Sequence, residues 1–241
     1  MKKKIIAIAA CVAACSFPLG LAGCSNNNEN TDQTNTVSTE STLSGEETDA
    51  LFNIGEIQDT DYVNDFFNLK YTGNAGWRLL NEEQLATISS SIKDVLTNES
   101  AKAAIESGKT SIIMYAVSED AKQNLSLMVE KHDVNNTQDA DMDAFIDKSV
   151  ESLSASLPAQ GFRDLEVTKT DITFCSKPAK AIKIKAKYDV KAADGSENTE
   201  EKEIYETMVY VFRGSYSGCV TASSFDEDKT GEVLDMFSKL Q

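Results

Sequence analysis

The chain has 241 residues and a formal net charge of −16 at pH 7, because 39 aspartates and glutamates outnumber 23 lysines and arginines. This acidity argues against a nucleic-acid partner, since binding to phosphates depends on lysine and arginine. It also gives no attraction to anionic lipid headgroups. We interpret the acidity mainly as a means of keeping the protein soluble.

The first residues have the layout of an export signal. Three lysines follow Met1, and residues 5–21 carry no charge. That run is interrupted by serine, proline and glycine, so it is shorter than the roughly 18 continuous apolar residues expected of a spanning helix. A basic head, a short apolar core and small residues at its end are typical of a secretory signal.

The signal ends in Leu21, Ala22, Gly23 and Cys24, and this order resembles the lipobox of bacterial lipoproteins. The resemblance implies that residues 1–23 are a lipoprotein signal peptide and that the signal peptidase recognises Leu21, Ala22 and Gly23. It implies a covalent diacylglyceryl lipid on Cys24 and no other cofactor. The chain would then be anchored in the cell membrane, on its extracytoplasmic face, by acyl chains. The alternative is an ordinary secretory signal with a chance cysteine.

Residues 24–50 are predicted to form a lipidated, flexible tether. They are almost entirely serine, threonine, asparagine, glutamine and acids, and such a composition cannot bury enough apolar surface to order itself. A coil of about 30 residues spans roughly 30 Å, which would hold a domain clear of the headgroups. Apolar periodicity begins near Leu51, so residues 51–241 are predicted to be one globular domain.

The hydrophobic period of residues 51–241 predicts strands and helices in mixed order. Asn81 and Gln84 resemble the two ends of a capping box, which marks the start of a helix. The predicted elements are, in order, a strand over 62–71, a helix from 81 to 96, a helix over 100–106 ended by Gly108, strands over 111–117 and 125–131, a helix over 141–157, strands over 162–174, 181–188, 204–212 and 217–223, and a terminal helix over 233–240.

Alternation is clearest over 181–188, where three lysines share one side of the strand. Lys183, Lys185 and Lys187 point away from the apolar side. We interpret the lysine row as a solvated strand face with Glu201, Glu203 and nearby acids across from it. A row that binds a peptide is the alternative.

Short turns between successive strands require antiparallel pairing. The order of elements therefore predicts the α+β class, with a single mostly antiparallel β-sheet flanked by helices.

Three stretches resemble the PsbP-like α/β/α sandwich family. They are NLKYTGNAGW (68–77), VTKTDITFCSKPAKAIKIKAKY (167–188, with a turn at 177–179) and ETMVYVFRGSYSGCVTASS (206–224). The resemblance covers roughly residues 55–240 and rests on strand order and turn placement. It implies the fold, and members of the family mostly bind or assist other proteins.

The cysteines leave one question open. Cys11 and Cys15 would leave with the signal, so if Cys24 is acylated, Cys175 and Cys219 are the only two that could pair. Export permits a disulfide, which would contribute about 4 kcal/mol in the chain-entropy model. Both cysteines also lie in apolar strand contexts that suit buried free thiols.

No catalytic or metal-binding set is predicted. His132 is the only histidine and is expected at an exposed strand end. A catalytic histidine needs a nearby nucleophile and an orienting group, and zinc usually needs several histidine or cysteine ligands. The stretch 214–218 has Tyr216 where a nucleophile elbow needs serine. Acids near 139–143 and 226–228 precede predicted helices, so we interpret them as helix caps rather than calcium ligands.

The sequence therefore predicts a lipoprotein of the cell envelope, non-enzymatic, that binds or assists an envelope protein or ligand and does not bind nucleic acid. Two alternatives remain: an envelope hydrolase that uses paired carboxylates, and a lipoprotein that binds a small solute.

Overall fold

The structure is a computed structural model that describes residues 51–81, 84–85, 98–108, 110–132, 142–191 and 199–240. Leu21, Ala22, Gly23, Cys24 and the whole tether lie outside these residues. Among the described helices, none is long and apolar enough to cross a membrane.

The described residues form two antiparallel sheets. Their elements are β1 (Glu56–Gln58), β2 (Asp61–Asn64), β3 (Leu69–Tyr71), β4 (Trp77–Leu79), α1 (Asn98–Glu106), β5 (Ser111–Ser118), β6 (Gln123–Lys131), α2 (Met142–Ser156), β7 (Arg163–Phe174), β8 (Lys177–Lys191), β9 (Thr199–Arg213), β10 (Tyr216–Phe225), α3 (Thr230–Leu234) and β11 (Phe237–Lys239). The large sheet has the strand order β4-β5-β6-β10-β9-β8-β7, and the small sheet has the order β1-β2-β3-β11. The mostly antiparallel arrangement is confirmed, but the prediction of a single sheet is wrong.

The two faces of the large sheet are covered differently. The front face carries Leu127, Val209 and Val220, which share one apolar cluster with residues of the small sheet, α1 and α3. The back face carries Ile182 and Ile184, which share a second cluster with residues of α2. A second sheet therefore takes a place that the sequence analysis assigned to helices.

Aromatic rings join the two sheets. Phe52 stacks on Tyr216 of β10 with ring centroids 4.1 Å apart, and Phe66 meets the same ring edge-on at 5.3 Å. Gly218 lies beside these rings in β10. A Cβ atom there would lie 2.9 Å from a Val211 methyl group and 3.4 Å from the Phe67 ring, so a side chain at position 218 would require its neighbours to shift.

The predicted strand over 62–71 is in fact the hairpin of β2 and β3. Asn64 Oδ1 accepts a hydrogen bond from the backbone N–H of Phe67 at 2.9 Å, and Asn68 adopts a positive φ of 56°. Asparagine is common in turns because its side chain can bond to nearby backbone N–H groups and because it tolerates a positive φ. Arg213 secures the turn, because its Nη1 donates to the carbonyl oxygen of Asp65 at 3.1 Å.

The predicted terminal helix is correct only as far as Leu234. Phe237–Lys239 form β11, which pairs with β3 so that Phe237 lies opposite Tyr71. Phe237 is 4% exposed and belongs to the front cluster. Helical spacing and strand spacing both bury a residue at 237, and the distant partner strand decides between them.

Several local predictions are confirmed. The backbone N–H of Gln84 donates to Asn81 Oδ1 at 2.9 Å, and the backbone N–H of Asn81 donates to Gln84 Oε1 at 3.1 Å, so the capping box forms. Helix α1 is followed by Gly108 with a φ of 79°. The predicted strands over 111–117, 125–131, 181–188, 204–212 and 217–223 are all present in longer form. The rest of the helix predicted from 81 to 96 lies outside the described residues.

Candidate functional site

The lysine row lies on the front face, beyond the part that the small sheet covers. Its three side chains are 41–46% exposed, and each is paired with an acid. The pairs are Lys183–Asp228 at 3.2 Å, Lys185–Glu203 at 3.1 Å and Lys187–Asp164 at 2.8 Å. The interpretation as a solvated, charge-paired strand face is therefore confirmed.

Asp228 also accepts a hydrogen bond from the backbone N–H of Thr230, at 3.1 Å, at the start of α3. This contact supports the interpretation of that acid as a helix cap. An open pocket of about 170 Å³ lies beside Lys183 and Lys185. Acids pair with both of these lysines, and Glu166, Tyr205 and Glu206 also line the pocket.

Strand β10 presents small polar side chains to the back face. Ser217, Cys219, Thr221 and Ser223 alternate with front-face residues such as Val220. An alternation of this kind usually places the polar side in solvent, but here both sides are buried. The sequence therefore indicated a polar face on this strand, but it did not indicate that the polar face is buried.

The polar side chains continue onto the neighbouring strands. In the register of the sheet, Ser223 lies between Asn124 of β6 and Glu206 of β9, and Thr221 lies opposite Ser126 of β6. We call these five residues the polar floor. Each is at most 5% exposed.

Glu206 is the ionisable member of the polar floor, and only 1% of it is exposed. Ser223 Oγ donates to Glu206 Oε1 at 3.1 Å, while Oε2 is buried without a hydrogen-bond partner. Burial raises the pKa of Glu206 to about 8, against a small opposing effect of the Ser223 hydrogen bond. The carboxyl group is therefore mostly protonated at neutral pH, because ionising it in this surrounding is costly.

Apolar side chains lie on both sides of the polar floor. On one side, Leu80, Tyr115 and Val117 form a small cluster, against which Leu85 packs. On the other side lies the back-face cluster with Ile184, which is opposite Glu206 in the register. Small-molecule sites combine a few polar groups with an apolar lining in the same way, but they are concave.

His132 corrects a prediction, because it is buried and not at an exposed strand end. It is 9% exposed, its Nε2 lies 2.7 Å from Ser217 Oγ, and its backbone N–H donates to the Ser215 carbonyl oxygen at 2.7 Å. Glu130 lies opposite Ser217 in the register, and burial raises the pKa of Glu130 to about 7. His132 and Ser217 are 85 positions apart in the sequence, so sequence reasoning could not find this contact.

The cysteines that could have formed a disulfide are free in the structure. Cys175 packs against the front cluster and Cys219 belongs to the back-face cluster. Burial raises the pKa of each thiol to about 11, so both are protonated at neutral pH and poorly reactive.

Cys175 and Ser176 form the tight turn between β7 and β8 with positive φ angles, two residues before the turn predicted at 177–179.

Acids and other ligands are not gathered into a metal site in the described part of the chain, where no group of three histidine, cysteine, aspartate or glutamate residues has suitable geometry. Glu206 and Glu130, the two acids with raised pKa, lie opposite different serines of β10, Ser223 and Ser217. They do not form a facing pair of carboxylates.

Comparison with known proteins gives only distant likenesses. No protein-family model matches the sequence, and no curated protein does. Two of the solved structures that align with it illustrate the likeness. One is LpqN, involved in cell envelope biogenesis of Mycobacterium tuberculosis, with 11% identity, a TM-score of 0.39, and coverage of 72% of this chain and 83% of LpqN. The other is PsbP (CyanoP) from Synechocystis sp. PCC 6803, with 10% identity, a TM-score of 0.41, and coverage of 79% of this chain and 99% of the other. Neither likeness is strong enough to say what this chain binds.

Proposed function

We propose that this protein is a lipid-anchored, extracytoplasmic binding or accessory module of the cell envelope, and not an enzyme. Anchoring is supported by the order of a basic head, a short apolar run and Leu21-Ala22-Gly23-Cys24, followed by the polar tract of residues 25–50. That order fits a domain held near the bilayer by its amino terminus.

The observation that carries the binding role is the polar floor. Its hydroxyl, amide and carboxyl groups lie beneath the surface between two apolar clusters. Polar groups in such a position usually need partners to offset their desolvation. Glu206 Oε2 has none in the described structure, as expected of a group that a ligand completes.

Anchoring is tested by feeding cells an alkyne-labelled palmitate. We expect label on the unaltered protein and none on Cys24→Ser, which should appear in the soluble extracytoplasmic fraction. Cys175→Ser is the matched control, because it also removes one thiol and should keep the label. Equal labelling of Cys24→Ser and the unaltered protein would refute the anchor. Cross-linking of the anchored protein in its own envelope would then identify the partner.

An envelope hydrolase is the second candidate, and one observation favours it. His132 Nε2 and Ser217 Oγ are 2.7 Å apart, the distance between a general base and its nucleophile. A biotinylated fluorophosphonate would label Ser217 if it were such a nucleophile, and Ser217→Ala would lose the label. Ser154→Ala, which removes an exposed hydroxyl on α2, is the control. Under the binding proposal, we expect no labelling of any of these proteins.

A further inference from the structure

Strand β7 (Arg163–Phe174) forms one outer edge of the large sheet, and its outward side pairs with no strand in the described ranges of the chain. It is 12 residues long and contains no proline, whereas the other strands at sheet edges, β1, β4 and β11, have 3 residues each. Proteins usually keep exposed edges short or cover them, because unpaired N–H and C=O groups invite another strand. The length of this edge therefore calls for an explanation.

The regular part of β7 is symmetric about Thr170. A bulge interrupts the pairing with β8 between Arg163 and Glu166, and the register then runs without a break from Glu166 to Phe174. Thr170 is the middle residue of this stretch. Two copies of the stretch can therefore lie antiparallel with every residue paired and with Thr170 opposite Thr170 on a two-fold axis.

The charges along β7 match in this register. Lys169 of each copy would lie opposite Asp171 of the other, so two pairs of opposite sign would form. Moving the axis by one residue would place Lys169 against Lys169 or Asp171 against Asp171, and like charges directly opposite each other are destabilising. The side chains of Lys169 and Asp171 are 48% and 79% exposed, so a second copy can reach both.

Each copy already holds these two side chains in ion pairs. Asp147 of α2 lies 2.6 Å from Lys169, and Lys180 of β8 lies 2.8 Å from Asp171. Pairing of two β7 strands would join these pairs into a row of alternating sign, with Asp147 and Lys169 of one copy beside Asp171 and Lys180 of the other. Charges in a network contribute more than isolated exposed pairs. A strand without matching charges would gain none of this, so the row also favours a second copy over other partners.

We infer that this protein forms a two-fold homodimer by antiparallel pairing of β7 with β7 about Thr170, which joins the two large sheets into one continuous sheet. The occupant of the open edge is a second copy of this chain, selected by the charges of Lys169 and Asp171. This inference goes beyond the proposed function, because the pairing needs neither the lipid on Cys24 nor the polar floor.

The first test combines two charge variants of the full-length protein in neutral detergent. Lys169→Asp places acids opposite each other at both contacts, and Asp171→Lys places lysines there. Each variant alone should therefore associate at least roughly tenfold more weakly than the unaltered protein. An equimolar mixture restores two pairs of opposite sign, but only between unlike copies. We expect sedimentation equilibrium to show dimers for the unaltered protein and for the mixture.

The matched control is Lys102→Asp, which makes the same change of charge on α1. The Lys102 side chain is 47% exposed and pairs with Glu106 within the helix. We expect this variant to dimerise as the unaltered protein does, because α1 packs against β5 and β6 rather than β7.

The second test locates the axis with a short bis-maleimide cross-linker. Thr170→Cys would place two thiols directly opposite each other, where Cβ atoms are about 5 Å apart. In Thr173→Cys the two thiols would be about 20 Å apart, since each lies three residues from the axis at about 3.4 Å per residue. Both variants also carry Cys175→Ser, which removes the nearby half-buried thiol. We expect a cross-linked homodimer from Thr170→Cys and none from Thr173→Cys.

The inference would be overturned if the unaltered protein sedimented as a monomer, or if the mixture associated no better than the single variants. It would also be overturned if Thr173→Cys cross-linked as well as Thr170→Cys. Attachment of Thr170→Cys to a different protein in the envelope would mean that the edge accepts another strand instead. Sedimentation of the unaltered protein decides the first point even if every variant unfolds. None of these outcomes changes the palmitate labelling of Cys24, so failure of this inference is distinguishable from failure of the anchor.

Discussion

Strands β8 and β9 carry charged side chains on both faces, and the two faces differ in how they accommodate charge. On the front, Lys183, Lys185 and Lys187 are exposed and paired with acids. On the back, Glu206 is buried with one oxygen unsatisfied. Exposed ion pairs contribute about 0–1 kcal/mol each, whereas a buried carboxyl group makes stability depend on its protonation. The position of a charge across the sheet therefore matters more than the number of charges along the strand.

The largest expected effect separates two adjacent residues on opposite faces. Ile184→Ala should lower the free energy of unfolding by about 2–5 kcal/mol, because it leaves a cavity in the back-face cluster, where Ile184 is 2% exposed. Lys185→Ala should lower it by less than about 1 kcal/mol. Urea denaturation of both variants measures the difference. Equal losses would mean that the two faces do not differ in burial as described.

The second prediction uses the pH dependence of Glu206. The pKa is raised from 4.5 to about 8 in the folded state, so the folded protein holds its proton more tightly than the unfolded chain. The stability that this proton contributes is fully present below about pH 4.5 and is lost as pH rises to about 8. The slope between these values approaches about 1.4 kcal/mol per pH unit. Urea midpoints across pH 5–8, compared with Glu206→Gln, measure this contribution.

The glutamine variant should lack that component of the slope, because its amide does not titrate. Glu166→Gln is the matched control on the front of the sheet and should retain it. Parallel pH profiles for the unaltered protein and Glu206→Gln would show that Glu206 is not protonated in the fold, and the contrast between the two faces would then weaken.

A smaller effect is expected from Ser223→Ala. It removes the hydroxyl that donates to Glu206 Oε1 at 3.1 Å. Oε1 would then lack this hydrogen bond, as Oε2 already lacks a partner, at a cost of about 1–3 kcal/mol. Ser154→Ala, on the exposed side of α2, should change stability by less than about 0.5 kcal/mol. Thermal unfolding at pH 6 would compare them, and a loss no larger in Ser223→Ala would show that this hydrogen bond stabilises nothing.

The smallest effect belongs to the lysine row. Lys187 pairs with Asp164 at 2.8 Å and approaches Glu201 at 3.9 Å, and its side chain is 41% exposed. Lys187→Gln should cost about 0.2–1 kcal/mol at low salt and less at 1 M salt, where exposed pairs are screened. A loss that persisted unchanged in high salt would mean that the pair is not screened as an exposed one.

Some of these features could be predicted because neighbours in sequence determine them. The capping box at Asn81 and Gln84 involves residues three apart, and the lysine row follows from the alternation of side chains along a single strand. Both are confirmed. By contrast, the strand predicted over 62–71 is a hairpin, because the turn chemistry of Asn64 and Asn68 was not weighed against the apolar run.

The candidate site could be predicted only in part. The polar alternation of β10 was visible in Ser217, Cys219, Thr221 and Ser223, but an alternating strand usually exposes its polar side. Burial of that side depends on what packs over the sheet. His132 was predicted to be exposed because the charged residues Lys131 and Asp133 flank it. Neither neighbour indicates the contact with Ser217.

The sequence by itself determined the pattern of the amino terminus, the alternation of most strands, and the capping box at Asn81 and Gln84, because these depend on residues within a few positions of each other. Only the tertiary structure decided that two sheets pack together, that the last residues form a strand, and that Glu206 lies buried beside Ser223. Those outcomes depend on contacts between residues far apart in the chain. Such contacts must offset the entropy lost when the chain between them is closed into a loop, and a local sequence pattern does not show which distant residues will meet.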